Sequence, residues 1–367
     1  MLKVMKRIAQ TAGGVLAATV LAILGLALAH RRPAKILPLR IEGRGSAAAR
    51  DRAEGGNRDS LKAGKWPSEL SLMTWNLGYA GMGEEADFFM DGGHDVLAKD
   101  KATVVAHLEN ITDFLQQHPQ DIYFLQEVDS DSRRSYYVDE FGGITGALSD
   151  YYYSSALNFD VRFLPYPFTQ PIGRVRSGLL SLAAYQPAEA ARFQLPGSFR
   201  WPVSSFNLDR CLLVWRLPRE DGKEWVVMNV HLEAWDAGGG LKSQELEFLR
   251  NLAIGEYERG NYVIVGGDWN ATLPGVRLDQ FPSTSKLNQY NMTLPANFLP
   301  SGWRWGVDAS RPSNRRSDAP YRPGENYVTV IDGFVVSPNV QILSVNTLAL
   351  GFRDSDHEPV VMRVVSR

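Results

Sequence analysis

A series of short apolar runs, beginning near Leu70 and continuing almost to the C-terminus, constrains the fold more than any other feature of the sequence. The runs read SLMTWNLG, DIYFLQEV, YYYSSALN, SGLLSLAAY, CLLVWRLP, EWVVMNVHLE, NYVIVGGDWN, YVTVIDGFVVS, VQILSV and PVVMRVV. Their β-branched and aromatic residues, bounded by polar residues, predict strands. Val96–Gln117 and Leu241–Tyr257 carry apolar residues at helical spacing instead, which predicts two helices. Many strands with few helices and no internal repeat predict an α/β fold of two packed sheets flanked by helices.

The N-terminal part of the chain has a different composition. Three basic residues precede an apolar run from Ile8 to Ala29, which predicts a membrane anchor or a cleaved secretory signal over residues 1–29. Residues 30–69 are rich in Arg, Gly, Ala and Ser and predict a flexible linker, so residues 70–367 are expected to form one domain. We expect this domain to be membrane-anchored and extracytoplasmic, or to be secreted after signal cleavage.

Three segments between the predicted strands are expected to be long loops, and loops of this length commonly carry function. They are Gly81–Gly93, Phe159–Arg176 and Gln280–Asn326, and all three are rich in Gly, Pro, aromatic and charged residues. The second contains FDVRFLPYPF, whose rings could contact lipid, stack on a base or pack between the sheets.

Charge and cysteine content exclude some classes of function. The net charge is −2, which provides no global basic field for nucleic acid. Cys211 is the single cysteine, which excludes a disulfide framework and a cysteine-based zinc site. Because Cys211 lies in the apolar run CLLVW, we expect a buried structural thiol.

Several of the apolar runs end in polar residues that a buried strand ordinarily avoids. They are Asn76 in TWNLG, Glu127 in LQEV, Asn229 and His231 in NVHLE, Asp268 and Asn270 in GGDWN, Asp332 in VIDG, and Asp354, Asp356 and His357 in DSDHEP. Each one alone is compatible with a turn, an edge or a satisfied core position. Together they must meet each other or a cation, because burying so many acids and imidazoles without partners would cost several kcal/mol each.

The residue types indicate the chemistry of such a site. Carboxylate and amide oxygens without cysteine suit Mg²⁺ or Mn²⁺ better than zinc. Histidines that do not bind the metal can contact phosphate or carry protons, and a carboxylate can orient a histidine through its second ring nitrogen. These are the parts that metal-assisted hydrolysis of a phosphate ester needs.

The order of the motifs resembles that of the endonuclease/exonuclease/phosphatase superfamily, which has the fold of pancreatic deoxyribonuclease. The matching motifs are TWNLG, LQEV, SGLLSL, NVHLE, GGDWN, VIDGFVVS and SDHEPV, and they extend from about Leu70 to Val364. The resemblance implies a four-layer α/β/β/α sandwich, with two facing mixed β-sheets flanked by helices. It also implies an active site at one edge of the two sheets.

The resemblance assigns metal ligands to this sequence by motif. Glu127 of LQEV corresponds to the principal ligand, and Asn76 and Asp356 are expected close to the cation. Mg²⁺ is the expected ion, with Mn²⁺ as the alternative. Asp354 and Glu358, which flank Asp356 and His357 in DSDHEP, are expected to be exposed to solvent.

The resemblance also assigns catalytic roles. Asp268 is expected to orient or deprotonate the attacking water, and Asn270 to help hold the phosphate or the leaving group. His231 and His357 are expected to contact phosphoryl oxygens, and one of them to protonate the leaving group. Asp332 is expected to accept a hydrogen bond from His357 and to fix its tautomer.

Three functional hypotheses follow. The first is a membrane-associated phosphodiesterase that acts on lipid head groups or small phosphoesters, with phosphomonoesters as a further option, and that contacts the membrane through the N-terminal segment. The second is a secreted or anchored nuclease, and the third is a catalytically silent binding module on the same fold. No protein partner is predicted. Arg174, Arg176 and Arg210 are expected to be solvated at the surface or to form structural ion pairs, with additional phosphate contacts as the alternative.

Overall fold

The computed structural model describes residues 2–29, 32–43, 65–234, 240–284 and 292–367. In chain order the strands are β1 (Ile36–Pro38), β2 (Glu69–Asn76), β3 (Ile122–Asp129), β4 (Tyr152–Leu164), β5 (Gly173–Ala183), β6 (Glu189–Gln194), β7 (Cys211–Pro218), β8 (Glu224–His231), β9 (Tyr262–Asp268), β10 (Arg304–Gly306), β11 (Asn314–Arg315), β12 (Val328–Thr329), β13 (Asp332–Val336), β14 (Val340–Thr347) and β15 (Val360–Ser366). The helices are α1 (Leu2–Ala29), α2 (Lys101–Gln117), α3 (Glu140–Ala147) and α4 (Gly240–Glu258).

The strands form two large mixed sheets and one small ribbon. The seven-stranded sheet has the order β1-β6-β7-β8-β9-β13-β10, and the six-stranded sheet has the order β14-β15-β2-β3-β5-β4. Each contains one parallel pair, β8/β9 in the first and β2/β3 in the second, and the other pairs are antiparallel. Strands β11 and β12 form the ribbon. The predicted pair of mixed sheets is therefore confirmed.

Three apolar clusters separate the layers. Between the sheets, Leu72 and Phe124 of the six-stranded sheet pack in one cluster with Trp215 and Phe334 of the seven-stranded sheet. The outer face of the seven-stranded sheet packs against α4, and the outer face of the six-stranded sheet packs against α2 and α3. This arrangement buries both faces of each sheet, and it confirms the α/β sandwich with helices on the outside.

The two predicted helices are present with small changes at their ends. Helix α2 begins at Lys101 rather than Val96, because the side chain of Asp100 caps it by accepting a hydrogen bond from the Thr103 backbone N–H at 2.8 Å. Helix α4 extends one residue beyond each predicted end. The short α3 was not predicted, since its sequence EFGGITGA contains three glycines and lacks a helical apolar period.

The N-terminal apolar segment forms α1. Across the described residues, no helix combines the length and apolar character that crossing a bilayer requires, so the predicted transmembrane anchor has no support there. The predicted linker differs in part from the structure, because residues 36–38 form the edge strand β1 and pair with β6. Leu39 and Ile41 pack against the core between the sheets, which explains why this stretch is ordered. The rest of the predicted linker, residues 30–31 and 44–64, lies outside the described residues.

The prediction that Phe159–Arg176 forms a long loop is largely wrong. Strands β4 and β5 form a long hairpin that leaves only residues 165–172 as the connection. The cause is alternating burial, since Phe159 and Val161 point into an apolar cluster with Val175 while Asp160 and Arg162 are exposed. Within the predicted loop Gln280–Asn326, β10 and β11 add short strands, and residues 285–291 lie outside the described residues.

Candidate active site

Strand ends bring the predicted polar residues to one edge of the sandwich. In the seven-stranded sheet, Asp268 at the end of β9 lies opposite His231 on one side and Asp332 on the other. In the six-stranded sheet, Asn76 at the end of β2 lies opposite Gln126, directly before Glu127. The site is therefore made by both sheets, as the resemblance implied.

The glycines of GGDWN allow β9 to deliver Asp268 to this edge. A Cβ atom on Gly266 would lie 2.3 Å from the ring of Phe334, which packs between the sheets. Gly267 has a φ of +151°, and a Cβ there would lie 2.0 Å from the carbonyl oxygen of Val230. Only glycine fits these two positions, because each has a neighbour where a side chain would begin.

A break in the register of β3 turns Glu127 into the site. The pairing of β3 with β5 shifts between Leu125 and Val128, and Glu127 has a left-handed φ of 54°. Its Oε1 lies 3.4 Å from Asn76 Nδ2, and its Oε2 lies 3.6 Å from a guanidinium nitrogen of Arg134. A non-glycine residue in this conformation is strained, and such strain is often found where a functional side chain must be re-aimed.

A hydrogen-bonded turn positions Asp356 and His357. The hydroxyl of Ser355 donates to the Asn76 carbonyl oxygen at 2.8 Å and accepts from the His357 backbone N–H at 3.1 Å. The indole N–H of Trp75 donates to the His357 carbonyl oxygen at 2.9 Å. The turn is thus fastened to the end of β2, which places its two side chains beside Asn76.

The prediction that Asp354 and Glu358 are exposed to solvent is wrong. Asp354 is buried, and its carboxylate accepts a hydrogen bond from the Asn110 side chain at 2.8 Å and pairs with Arg353. Glu358 is buried as well and accepts hydrogen bonds from the backbone N–H groups of residues 350 and 352. Both carboxylates satisfy polar groups of the turn and its surroundings, so the acids of DSDHEP all have structural or site contacts.

Asp332 and His357 form a buried hydrogen-bonded pair. Asp332 Oδ2 lies 2.8 Å from His357 Nδ1 and also accepts a hydrogen bond from the Ser313 hydroxyl at 2.8 Å. Burial lowers the pKa of His357, but the carboxylates of Asp332 and Asp268 outweigh it and raise that pKa to about 10. The raised pKa favours the imidazolium, and the hydrogen bond to Asp332 holds the ring through Nδ1. The side-chain amide of Asn314 lies 3.0 Å from the other ring nitrogen, Nε2.

Asp268 lies at the centre of the group. Its Oδ2 accepts a hydrogen bond from Asn76 Nδ2 at 3.0 Å and lies 3.5 Å from His231 Nε2 and 3.8 Å from His357 Nε2. Its Oδ1 accepts from the backbone N–H of Asn270 at 2.8 Å. A carboxylate held by several donors, with one oxygen facing two imidazoles, is suited to align or deprotonate a water molecule.

His231 remains neutral, unlike His357. Burial, together with the positive charges of Arg210 and His357, holds its pKa well below the usual value. Its Nδ1 is buried and forms no hydrogen bond within the described residues. The surroundings of the two histidines therefore push their pKa values in opposite directions, which favours neutral His231 and charged His357.

The oxygen donors fit a divalent cation. Asp356 lines the cavity on one side and is surrounded by protein atoms on the others. This burial and the nearby Glu127 carboxylate raise the pKa of Asp356 to about 7. The carboxylates of Glu127 and Asp356 line the same cavity, and a hard cation would stabilise them. Asn76 lies beside them, with Nδ2 facing Glu127 and with Oδ1 accepting from the Gly78 backbone N–H at 3.0 Å. Gly78 permits this approach, since a Cβ there would lie 2.9 Å from Asp356 Oδ1.

A second group of side chains also has metal-binding spacing. One ligand atom each from Asp268, Asp332 and His357 lies within 4.8 Å of the others. However, the hydrogen bond with Asp332 already occupies Nδ1 of His357. The raised pKa of His357 favours the imidazolium, whereas a metal ligand must be a neutral imidazole. The carboxylates of Glu127 and Asp356, beside Asn76, are therefore the better fit.

These side chains form the floor of a cavity of about 550 Å³. The polar floor consists of Asn76, Glu127, His231, Asp268, Asp356 and His357. The rest of the lining is largely apolar and is called the apolar wall; it includes Phe88, Met90, Leu164, Tyr166, Phe199 and Val203. A mostly apolar cavity with a few convergent polar groups is the usual form of a ligand site.

Of the three arginines considered from the sequence, two lie away from the cavity. Arg174 pairs with Asp131 and Asp160, and Arg176 is exposed, as expected for an ion-paired and a solvated surface arginine. Arg210 lines the cavity and lies 3.7 Å from Glu233. Arg134 was not predicted.

Arg134 is partly buried beside Glu127, and its guanidinium makes two hydrogen bonds to Asp129, at 3.0 and 2.9 Å. It also lies 3.9 Å from the centre of the Tyr79 ring. No sequence signal marks Arg134 beyond its place seven residues after Glu127. Ser313 and Asn314 lie in a segment without a motif.

Comparisons with known proteins bear on the fold and on the family. A comparison with curated protein sequences found no match. An endonuclease/exonuclease/phosphatase from Beutenbergia cavernae DSM 12333 is similar in structure, with a TM-score of 0.57, 16% identity, and coverage of 82% of this chain and 72% of that one. ANGEL2, a 2′,3′-cyclic phosphatase in complex with adenosine-2′,3′-vanadate, gives a TM-score of 0.52 at 14% identity, covering 81% of this chain and 96% of its own. TDP2 from D. rerio, complexed with a single-strand DNA product, gives 0.51 at 15% identity, covering 82% of this chain and 100% of its own.

Identities this low show the fold alone, but the sequence itself identifies the family. The profile described as Endonuclease/Exonuclease/phosphatase family matches residues 73–357, which include every predicted site residue. The predicted class of metal-dependent phosphoester hydrolase is confirmed at the level of this family. The chain belongs to the endonuclease/exonuclease/phosphatase family.

Proposed function

We propose that the chain hydrolyses phosphodiester bonds with Mg²⁺ by in-line attack of water, and that its substrates are lipid head groups or small phosphoesters. The observation that carries the proposal is the cavity, in which Glu127, Asp356, Asp268 and the two histidines face one apolar wall. A bound Mg²⁺ would neutralise charge on the phosphoryl oxygens. Asn76, Glu127 and Asp356 would hold it.

The protein's own groups divide the remaining work. Asp268 accepts the proton of the attacking water, and the hydrogen bonds from Asn76 and Asn270 hold its carboxylate in place. His357, as an imidazolium, binds a phosphoryl oxygen, and Asp332 keeps it charged and oriented. His231 stays neutral until the phosphate charge arrives beside it, and it then contacts a second phosphoryl oxygen.

The apolar wall supports a lipid substrate over a polynucleotide. Of the arginines that line the cavity, Arg134 pairs with Asp129 and Arg210 lies near Glu233, so neither adds uncompensated charge for a phosphate backbone. An apolar wall above a polar floor suits a phosphoester with an apolar substituent. Nuclease activity remains the alternative, because D. rerio TDP2 holds a single-strand DNA product.

The test compares substrates with the purified full chain. Hydrolysis of phospholipid vesicles, of a soluble chromogenic phosphodiester and of plasmid DNA is measured with Mg²⁺ and with chelator. Asp268→Asn should lower the rate on the true substrate by at least about 100-fold. Asp113→Asn, the same chemical change at an exposed position of α2, should leave it unchanged.

The outcomes separate the candidates. Lipid turnover that requires both metal and Asp268 supports the proposal. DNA cleavage without lipid turnover would replace it with the nuclease. Turnover that persists in chelator or in the Asp268 variant would remove the assigned mechanism.

A further inference from the structure

Large apolar side chains stand exposed on two segments that also contribute to the cavity lining. Residues 163–168 lie at the tip of the β4–β5 hairpin, and residues 201–203 lead into the short 3-10 turn that begins at Val203. The exposed side chains are Phe163, Tyr166, Phe168, Trp201 and Val203, which we call the aromatic rim. Phe168 is 77% exposed and Trp201 is 54% exposed, so burial in the fold does not explain these side chains. A cluster of exposed large apolar residues marks an interaction site in a soluble domain.

The rim is held in place by the structure beneath it. The hairpin tip is closed by a hydrogen bond from the Ile172 backbone N–H to the Tyr166 carbonyl oxygen at 3.1 Å. The rings of Tyr166 and Phe168 pack edge to face with centres 6.2 Å apart. Ile172 belongs to a buried cluster with Phe159 and Val175. The exposed rings therefore extend from a supported base.

Each segment of the rim also carries an exposed arginine next to an exposed aromatic residue. Arg162 precedes Phe163, and Arg200 precedes Trp201. Neither guanidinium forms an ion pair with a carboxylate in the part of the chain that the structure describes, whereas Arg174 nearby forms two. Aromatic residues flanked by unpaired arginines match the chemistry of an interface between hydrocarbon and anionic head groups.

The rim is continuous with the cavity and with the apolar helix. Tyr166 and Val203 belong to both the rim and the cavity wall, so the apolar surface runs from outside into the site. Helix α1 lies against the turn Val203–Phe206, and Leu28 near its end is 75% exposed. A flat apolar partner could cover these elements together.

We propose that the aromatic rim docks on the head-group layer of an anionic phospholipid bilayer, with the rings entering the interface and Arg162 and Arg200 contacting lipid phosphates. The inference rests on the proposed function for its substrate, since a lipid phosphoester would then enter the cavity along the apolar wall. It differs from the predicted N-terminal anchor, because the docking surface belongs to the catalytic domain.

The test measures binding of the full chain to sucrose-loaded vesicles by sedimentation. One set of vesicles contains equimolar phosphatidylcholine and phosphatidylserine, and the other contains phosphatidylcholine alone. Phe168→Ser combined with Trp201→Ser should lower partitioning to the anionic vesicles by about tenfold or more. Val105→Ser combined with Leu343→Ser makes a matched change at two exposed apolar positions away from the cavity, and it should change partitioning little.

A second variant and a second readout protect the test. Arg162→Gln combined with Arg200→Gln should weaken binding to anionic vesicles while leaving binding to phosphatidylcholine nearly unchanged. Hydrolysis of a soluble chromogenic phosphodiester should remain at the wild-type level in both rim variants. That activity reports folding and the proposed function separately from docking, so loss of one does not imply loss of the other.

Three results would overturn the proposal. The wild-type chain could fail to sediment with anionic vesicles, or the rim variants could partition as the wild type does. Alternatively, the rim variants could lose binding to single-stranded DNA while keeping vesicle binding, which would make the rim a base-stacking surface.

Discussion

Replacing Asp332 by asparagine should separate the orientation of His357 from its charge. The carboxylate is fully buried, its Oδ2 lies 2.8 Å from His357 Nδ1, and Ser313 donates a further hydrogen bond to the same oxygen. An asparagine amide has nearly the same shape and can still accept one hydrogen bond. The substitution therefore removes the negative charge with little change in packing.

The expected loss follows from this contact. A hydrogen bond to a charged group contributes roughly 1.5–3 kcal/mol, and if the transition state loses that amount the rate falls by roughly 10- to 100-fold. Burial by itself lowers the pKa of His357, and Asp332 is the first of the groups that raise it to about 10. Without the Asp332 charge, the pKa of His357 should fall and the imidazolium should deprotonate at a lower pH.

The assay is the pH dependence of phosphodiester hydrolysis, together with an NMR titration of His357. Burial raises the pKa of Asp332 to about 6, so the charged pair exists from about pH 6 up to about pH 10. Within this window the rate loss of Asp332→Asn should be larger at about pH 9 than at about pH 7, since the variant has lost its imidazolium by then. Because the folded pKa of His357 exceeds the unfolded value, its contribution to stability is present below the unfolded pKa and disappears as pH rises through about 10.

Two controls identify the cause. Ser313→Ala removes a hydrogen bond to the same carboxylate oxygen but keeps its charge, so it should cost less activity and should not change the pH profile. In a His357→Ala background, Asp332→Asn should have little further effect, because the two residues act as a unit. Wild-type activity in Asp332→Asn, or an equal loss at both pH values, would refute this reasoning.

Three further predictions concern the metal, a buried acid and the glycines of β9. Glu127→Gln should abolish the Mg²⁺-dependent rise in melting temperature; an unchanged rise would place the cation elsewhere. Burial raises the pKa of Glu245 to about 7, so stability is present at acid pH and lost as pH rises through that value. Glu245→Gln should accordingly stabilise the fold by roughly 2 kcal/mol at about pH 9 and by nearly nothing at about pH 4, as measured by chemical denaturation. Gly266→Ala should destabilise by about 1–3 kcal/mol through the Phe334 ring, whereas Gly255→Ala, in open space on α4, should stabilise slightly.

The strands and most of the site could be predicted because each motif couples an apolar period to a polar end. A residue such as Asp268 cannot continue a buried strand, so its position in the sequence marks where the strand leaves the core. Parallel pairing of β8 with β9 then brings His231 beside it. The order of the motifs, through the family resemblance, indicated which strands distant in the sequence lie together. The periodicity of apolar residues alone does not indicate this pairing.

Other parts could not be predicted, because their partners lie far away in the chain and follow no local pattern. Arg134 supports Glu127 only because β3 has a register shift and the next turn folds back over it. Asn314 meets His357 through an isolated bridge between segments 43 residues apart. Glu358 reads as a surface acid in the sequence, yet it is buried because two backbone N–H groups need an acceptor.

The division of the site between the two sheets has a mechanical consequence. Glu127 comes from the six-stranded sheet, whereas Asp268 comes from the seven-stranded sheet, so the distance between the metal ligands and the base depends on how the sheets pack. Directly behind the site, Gln126 Nε2 donates to Asn229 Oδ1 at 2.8 Å, and Asn229 Nδ2 donates to the Leu125 carbonyl oxygen at 3.2 Å. This buried polar bridge joins β8 to β3 and fixes their relative position, whereas two apolar side chains in its place could slide past each other. Asn229 and His231 in NVHLE are two residues apart and therefore lie on one face of β8. Asn229 fixes how the two sheets pack, and the position of His231 in the site depends on that packing.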